Sequence, residues 1–238
     1  MSDVDQEVVD QQIQYYRHRA PEYDDWYYRR GRYYYGPEHA RLWKEEIIEV
    51  RGALDGLNPS GRILELACGT GLWTQQLTRY DGVLTAMDAS PEVLALNKAR
   101  VGSPAVRYRQ CDIFQWDPDE TYNFIFFGFW LSHVPPSRFA IFWDLLRQAI
   151  APGGTIFLVD NSYHADSSAR NHSVDPCRMT QRRELNDGRT FEIVKVFYKP
   201  DRLTSRLDQL GWSGNLRTTS NFFIYGSVSL GRQRDPRS

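Results

Sequence analysis

Gly69 and Gly71 stand two apart in Glu65-Leu-Ala-Cys-Gly-Thr-Gly71, directly behind the apolar run 62–66. Glycine lacks a Cβ, so such a loop lets backbone N–H groups come close to a ligand. Asp88 follows a second apolar run, 83–87, and lies 17 residues beyond Gly71. A carboxylate there can accept both hydroxyl protons of a ribose. Asp112 and Ile113 follow a third run, 106–110. The aspartate suits an adenine amino group, and the isoleucine suits the face of the ring. The three places together describe a pocket for an adenosine-containing ligand.

Each piece alone is weak. Many turns need glycine, and an aspartate after a strand is more often a helix cap. Their recurrence at successive strand ends is much harder to obtain by chance. A nicotinamide dinucleotide would require Gly-x-Gly-x-x-Gly/Ala, but the third position after Gly71 is Thr74. That disfavours an oxidoreductase.

An alternation of strands and helices must position these residues. Residues 8–60 read as helical, with a turn near 31–37. Strands are expected at 62–66, 83–87, 106–110, 123–127 and 155–159. Helices are expected at 70–78, 91–100 and 137–150, the second with Ser90 as N-cap and Pro91 in its first position, the third ended by Pro152-Gly-Gly154. This order predicts a parallel sheet covered on both faces. Further on, 182–185 and 191–197 flank the hairpin signal Asn186-Asp-Gly188. Residues 203–210 form a helix closed by Gly211, and 216–229 hold two β-rich runs split near Ser220-Asn221. The polar tail 231–238 is expected to be frayed.

Composition narrows the function. The chain has 238 residues, 41% hydrophobic and 25% charged, with a net charge of -1. No global basic field exists to gather nucleic acid or acidic membrane. No apolar run approaches the roughly 20 residues of a bilayer span. Cys68, Cys111 and Cys177 are few and far apart, which is neither a disulfide framework nor a metal spacing. With an acidic N-terminus, the expected setting is cytoplasmic.

The ordered set Glu65-x-x-x-Gly69-x-Gly71, Asp88, Cys111-Asp-Ile113 and Pro152-Gly-Gly154 covers about residues 60–160. It resembles the class I S-adenosylmethionine (SAM)-dependent methyltransferase family. The resemblance implies a Rossmann-like α/β sheet, mostly parallel with an antiparallel C-terminal strand, and SAM as cofactor. It places Ala67, Gly69 and Gly71 along the methionine part, and Asp88 with Ala89 at the ribose. Asp112 and Ile113 fall at the adenine. Glu65 would orient the loop or bind the methionine amino group. SAM has no pyrophosphate, so Thr74 in place of a third glycine is expected.

In this family the loop Gly128-Phe-Trp-Leu-Ser-His133 borders the transferred methyl. His133 is therefore the first candidate for a general base, or else a histidine that bonds a backbone carbonyl and shapes the loop. His164 is a second candidate near the acceptor, or a cap. Phe129 and Trp130 suggest a planar or aromatic acceptor. The stretch Tyr15-Tyr-Arg-His-Arg-Ala-Pro-Glu-Tyr-Asp24 looks like the lid of quinone-biosynthesis methyltransferases, with Tyr16 over SAM and Tyr23 over the acceptor. Nucleobase and glutamine methyltransferases often carry Asn/Asp-Pro-Pro-aromatic here, and Pro135-Pro136 come too late to match.

The implied organisation is a single domain, 1–238, with lid 8–55, core 60–160, insertion 161–200 and closing segment 201–230. The insertion caps the acceptor, or its strand pairs with a second subunit. Two other readings stay open. One is a SAM-binding cyclase or regulator. The other is an RNA methyltransferase recruited by the nine aromatics and five arginines between Tyr15 and Tyr35, although Glu22, Asp24 and Asp25 break up that positive charge.

Overall fold

Five expected strands become parallel neighbours in the computed structural model, which describes residues 3–169, 172–175 and 179–231. They are Gly61–Leu66 (β1), Gly82–Asp88 (β2), Arg107–Gln110 (β3), Tyr122–Gly128 (β4) and Ile150–Asn161 (β5). Two C-terminal strands, Trp212–Thr218 (β9) and Phe223–Leu230 (β10), complete a sheet of order β3-β2-β1-β4-β5-β10-β9. Only β10 runs against the rest of this sheet. Both faces are covered, which is why the central strands read as nearly continuous apolar runs. Ile63, Phe124 and Phe126 pack on one side, against helix α3 (Pro37–Asp55). Leu64, Leu66, Ile125 and Phe127 pack on the other, against α6 (Phe139–Ala149) and α7 (Pro200–Gln209).

The chain order reverses at β1, which has β2 on one side and β4 on the other. A crevice opens at such a point beyond the strand ends. Over it lie helix α1 (Asp3–Arg19), a short turn and helix α2 (Tyr23–Tyr27). Among the described residues no helix is long and apolar enough to cross a membrane.

Several local expectations hold. Helix α5 (Pro91–Val101) begins where the Val93 N–H donates to Ser90 Oγ at 3.2 Å, and ends at left-handed Gly102. The Asn186-Asp-Gly188 hairpin joins β7 (Thr180–Glu184) to β8 (Thr190–Val194), with β6 (Ser173–Asp175) on the far side of β7. Other boundaries move. The helix expected over 70–78 shrinks to α4 (Thr74–Leu77), because the glycine loop continues through residue 73. Pro152-Gly-Gly154 does not precede the fifth strand but bulges from it. Pairing slips from Tyr122–Ile150 to Phe124–Thr155, and a Cβ on Gly154 would lie 2.8 Å from the Ile150 side chain. The helix expected from 137 starts with a separate turn, Pro136–Arg138. The tail beyond 231 and Cys177 lie outside the described residues.

The outer edge of β8 is taken by this chain's own lid. The Glu192 N–H donates to Gln11 Oε1 at 3.0 Å, and the Val194 N–H donates to Gln12 Oε1 at 3.2 Å. Tyr15, Leu185 and Ile193 form a small core under this contact. Two side-chain amides of α1 thus cover the edge that the sequence leaves open for a second subunit.

Candidate functional site

A cleft lies beyond the ends of β1, β2 and β4. One wall carries Ala67, Gly69, Asp88 and Ala89, with Asp112 and Ile113 at its end. Phe129, Trp130 and His133 form the opposite wall, while Tyr16 and Tyr23 come from the lid. A smaller recess continues past Tyr23 and Gly69 to Glu65, Tyr27 and Trp73. Gly71 and His164 line neither space.

The loop folds this way for identifiable reasons. Ala67, Gly69 and Gly71 have φ of 51°, 54° and 95°. Gly71 is needed for packing, since a Cβ there would sit 3.0 Å from the Asn97 side chain. Asn97 is fully buried. Its Nδ2 donates to the Gly69 carbonyl at 3.0 Å and to Thr74 Oγ1 at 2.8 Å. Sequence reasoning missed this residue. Its signal was a lone amide on the face of α5 that carries Val93 and Leu94.

Asp88 receives the Gly69 N–H at 3.1 Å and the Ser90 N–H at 3.0 Å. Burial pushes its pKa up, against those hydrogen bonds. Thr74 Oγ1 donates to Glu65 Oε2 at 2.6 Å, so the residue that breaks the dinucleotide pattern tethers a carboxylate here. Burial pushes Glu65 up to about 8. Asp112 Oδ1 accepts the Phe114 N–H at 2.9 Å, so the helix-cap geometry and a place on the cleft wall coexist.

No basic side chain forms an ion pair with Glu65 or Asp88 among the described residues. Two buried carboxylates without cations fit a ligand that brings positive charge and hydroxyl donors. SAM offers an ammonium, a sulfonium and a ribose. A pH test follows. Between the ordinary 4.5 and about 8, folded Glu65 keeps a proton that the unfolded chain has lost. Its contribution to ligand-free stability is therefore full below that window and falls across it, by up to about 1.4 kcal/mol per pH unit. Glu65→Gln is expected to flatten this slope and to melt above wild type at pH 8. Parallel melting curves with the same slope would contradict it.

At the other end of the cleft, Phe129 is held at φ 58°, costly for an aromatic residue, by its N–H to the Val159 carbonyl at 2.7 Å. His133 Nδ1 lies 2.7 Å from the Val194 carbonyl, and its Nε2 lies 2.7 Å from Tyr16 Oη. A carbonyl only accepts, so Nδ1 carries the proton and Tyr16 donates to Nε2. Burial, with Lys195 and Arg183, holds His133 well below its usual range. Burial pushes Tyr16 up to about 12. Both ring nitrogens are thus engaged in the ligand-free structure, as the loop-shaping reading expects. His164 caps a turn: its Nδ1 accepts the Asp166 N–H at 3.2 Å, and its ring packs on Phe222.

The lid is latched down. Thr70 Oγ1 donates to Asp24 at 3.0 Å, and Arg100 bridges to both. Trp26 Nε1 donates to the Ser167 carbonyl at 3.1 Å, and Arg29 donates to the carbonyls of Trp26, Asp166 and Ser167. The lid is thus tied both to the core and to residues 166 and 167 at the start of the insertion.

Comparison with known proteins agrees with this geometry. The methyltransferase domain family matches residues 63–154. The demethylmenaquinone methyltransferase of Staphylococcus aureus strain MRSA252 is 25% identical over 130 residues, 52% of each chain. The ubiquinone/menaquinone biosynthesis C-methyltransferase UbiE of Teredinibacter turnerae is 28% identical over 130 residues, 51% of this chain and 50% of the relative. This match spans about half the length of those curated relatives. Among solved structures, the DhpI complex with SAH is 36% identical, with a TM-score of 0.76, over 96% of this chain and 99% of that one. The DhpI–SAM–HEP complex matches equally, over 94% and 98%. The glycopeptide N-methyltransferase MtfA, 18% identical with a TM-score of 0.58, shares the fold. A relation of 36% identity along nearly the full length of both chains, to a protein solved with SAM, makes this chain a member of the class I SAM-dependent methyltransferase family.

Proposed function

We propose that this chain transfers the methyl group of SAM to a small-molecule acceptor enclosed by lid 8–55, core 60–160 and insertion 161–200, with 201–230 closing the sheet. The observation that carries it is one continuous cleft running from Asp112 to Tyr16 and His133 under a latched lid. Bound SAM supplies a methyl already activated on a sulfonium. Asp88, Asp112 and the glycine loop orient it, Glu65 faces its ammonium end, and Phe129 and the lid exclude water. Similarity to DhpI, solved with SAM and HEP together, supports a cleft that holds a cofactor and a second ligand at once.

Tyr16 contacts the reacting end, and His133 acts as its positioning residue. The lid's Tyr/Arg content supports this reading more than RNA recruitment. Tyr15, Trp26, Tyr27, Arg29 and Tyr33 are buried, and Arg32 pairs with Glu22 at 2.9 Å.

The test is methyl-labelled SAM incubated with the small-molecule and RNA fractions of a cell extract. Label is expected in small molecules. Label only in RNA, or none in either fraction, would sink the proposal. Tyr16→Phe and His133→Ala are each expected to slow labelling by roughly tenfold, with no further loss when combined, because they act as one unit. A general base would instead contribute about 10²–10⁴-fold and remove one limb of the pH profile.

A further inference from the structure

The recess behind the glycine loop holds donors that the methyl-transfer reading leaves unused. Trp73 is 5% exposed, and its Nε1 has no acceptor among the described residues. That N–H edge lies against Gly128, where recess and cleft join, and a Cβ on Gly128 would sit 3.1 Å from Nε1. Tyr27 is buried and reaches the recess from the lid. Its hydroxyl accepts from Arg51 Nη2 at 3.0 Å, so its own proton is left to donate. No acceptor for that proton occurs among the described residues. Arg51 lies on α3 and donates also to the Leu72 carbonyl at 3.4 Å. It forms no ion pair with a carboxylate among the described residues, and its Nε is buried without a partner. Its guanidinium lies 5.6 Å from the Trp73 ring centroid, so its charge sits behind the same wall.

The same recess holds an acid. Glu65 is buried, and its one hydrogen bond comes from Thr74. The titratable groups that act on it are Asp88, Cys68 and Tyr108, and none is a cation. Burial therefore keeps a proton on it up to about 8. A buried donor without an acceptor and a buried acid without a cation are both costly. One ligand group answers both, an α-amino-acid zwitterion, whose carboxylate accepts and whose ammonium donates. The recess shares Gly69, Thr70 and Gly128 with the cleft but neither Asp112 nor Ile113. With adenine at Asp112, the amino-acid end of SAM points into it.

We propose that the recess is a zwitterion site, in which Trp73 Nε1 and the Tyr27 hydroxyl, backed by Arg51, take the α-carboxylate of SAM while Glu65 takes its ammonium. This rests on the methyl-transfer reading and extends it from the nucleoside to the amino-acid end. Trp73 and Tyr27 touch the ligand. Arg51 is a positioning residue, which holds the Tyr27 oxygen and polarises its O–H toward the carboxylate. Two consequences follow. The recess selects nucleosides with an intact amino-acid end, because a ligand without the carboxylate leaves both donors unpaired. The arriving ammonium also favours the charged form of Glu65, which gives up its proton on binding.

The test is calorimetric titration with SAH and, separately, with S-adenosyl-3-thiopropylamine, which keeps the ammonium and lacks the carboxylate. At pH 7 the wild type is expected to bind SAH roughly tenfold or more tightly than the amine. Tyr27→Phe, Trp73→Phe and Arg51→Gln should each weaken SAH by about tenfold and leave the affinity for the amine unchanged, with Arg51→Lys closer to wild type. Damage to the loop would instead weaken both ligands alike. Tyr27→Phe removes one oxygen and keeps the ring packing, so it reads the contact even where Trp73→Phe fails to fold. Both ligands should release about one proton from the wild type at pH 7, and neither should from Glu65→Gln. The release is read as a binding heat that changes with the ionisation enthalpy of the buffer. Equal wild-type affinity for the two ligands, equal loss of both in the variants, or binding without proton release overturns the proposal. A wild-type protein that binds neither overturns the underlying methyl-transfer reading.

Discussion

Asp88→Ala is expected to bind SAM about 10- to 150-fold more weakly than wild type in a calorimetric titration. A hydrogen bond to a charged group is worth about 1.5–3 kcal/mol. Asp88 has two tasks whose losses add. Its carboxylate already takes the Gly69 N–H, which fixes the loop against the end of β2. The same buried group lines the cleft, where the proposed function has it accept the ribose hydroxyls. Asp88→Asn keeps the shape but offers one acceptor oxygen in place of two, and should fall between. Equal affinities for wild type and Asp88→Ala would end the ribose assignment.

Asn97→Ala is expected to cost about 3 kcal/mol of stability, a fall in melting temperature of roughly 6–12 °C for a chain of this size. Asn97 Nδ2 holds the Gly69 carbonyl and Thr74 Oγ1, and Tyr108 Oη donates to its Oδ1 at 3.0 Å. Truncation leaves those buried groups unpaired, each at about 1–3 kcal/mol, in a site too tight for easy repair. Because Thr74 also holds Glu65, SAM affinity should fall with stability. A variant that melts like wild type and binds SAM normally would show that the loop stands without this amide. Asp88→Ala has the opposite signature, weaker binding with a smaller change in melting.

The strand ends, the glycine loop, Asp88 and Asp112-Ile113 were readable from residue types because each depends on neighbours a few positions away. A glycine turn, the Ser90 cap and the Asn186-Asp-Gly188 hairpin close within three or four residues. Strand burial follows from apolar runs by the same local logic. The short α4 and the bulge at Pro152-Gly-Gly154 were not readable, because pairing with β4 and packing against Asn97 override local preference.

The acceptor end was decided by tertiary structure. His133 has two partners, 117 and 61 residues away, and only their arrangement shows that Nε2 accepts from Tyr16. His164 became a cap through a hydrogen bond two residues away, a local option that the sequence offered without choosing. Gln11 and Gln12 cover the β8 edge from 181 and 182 residues away, a contact that no local pattern could announce. Sequence determined that the glycine loop, Asp88 and Asp112-Ile113 meet at neighbouring strand ends, because that placement follows from local pattern. Tertiary structure decided which histidine is tied down and which strand edge is covered, because burial and long-range pairing are properties of the assembled interior.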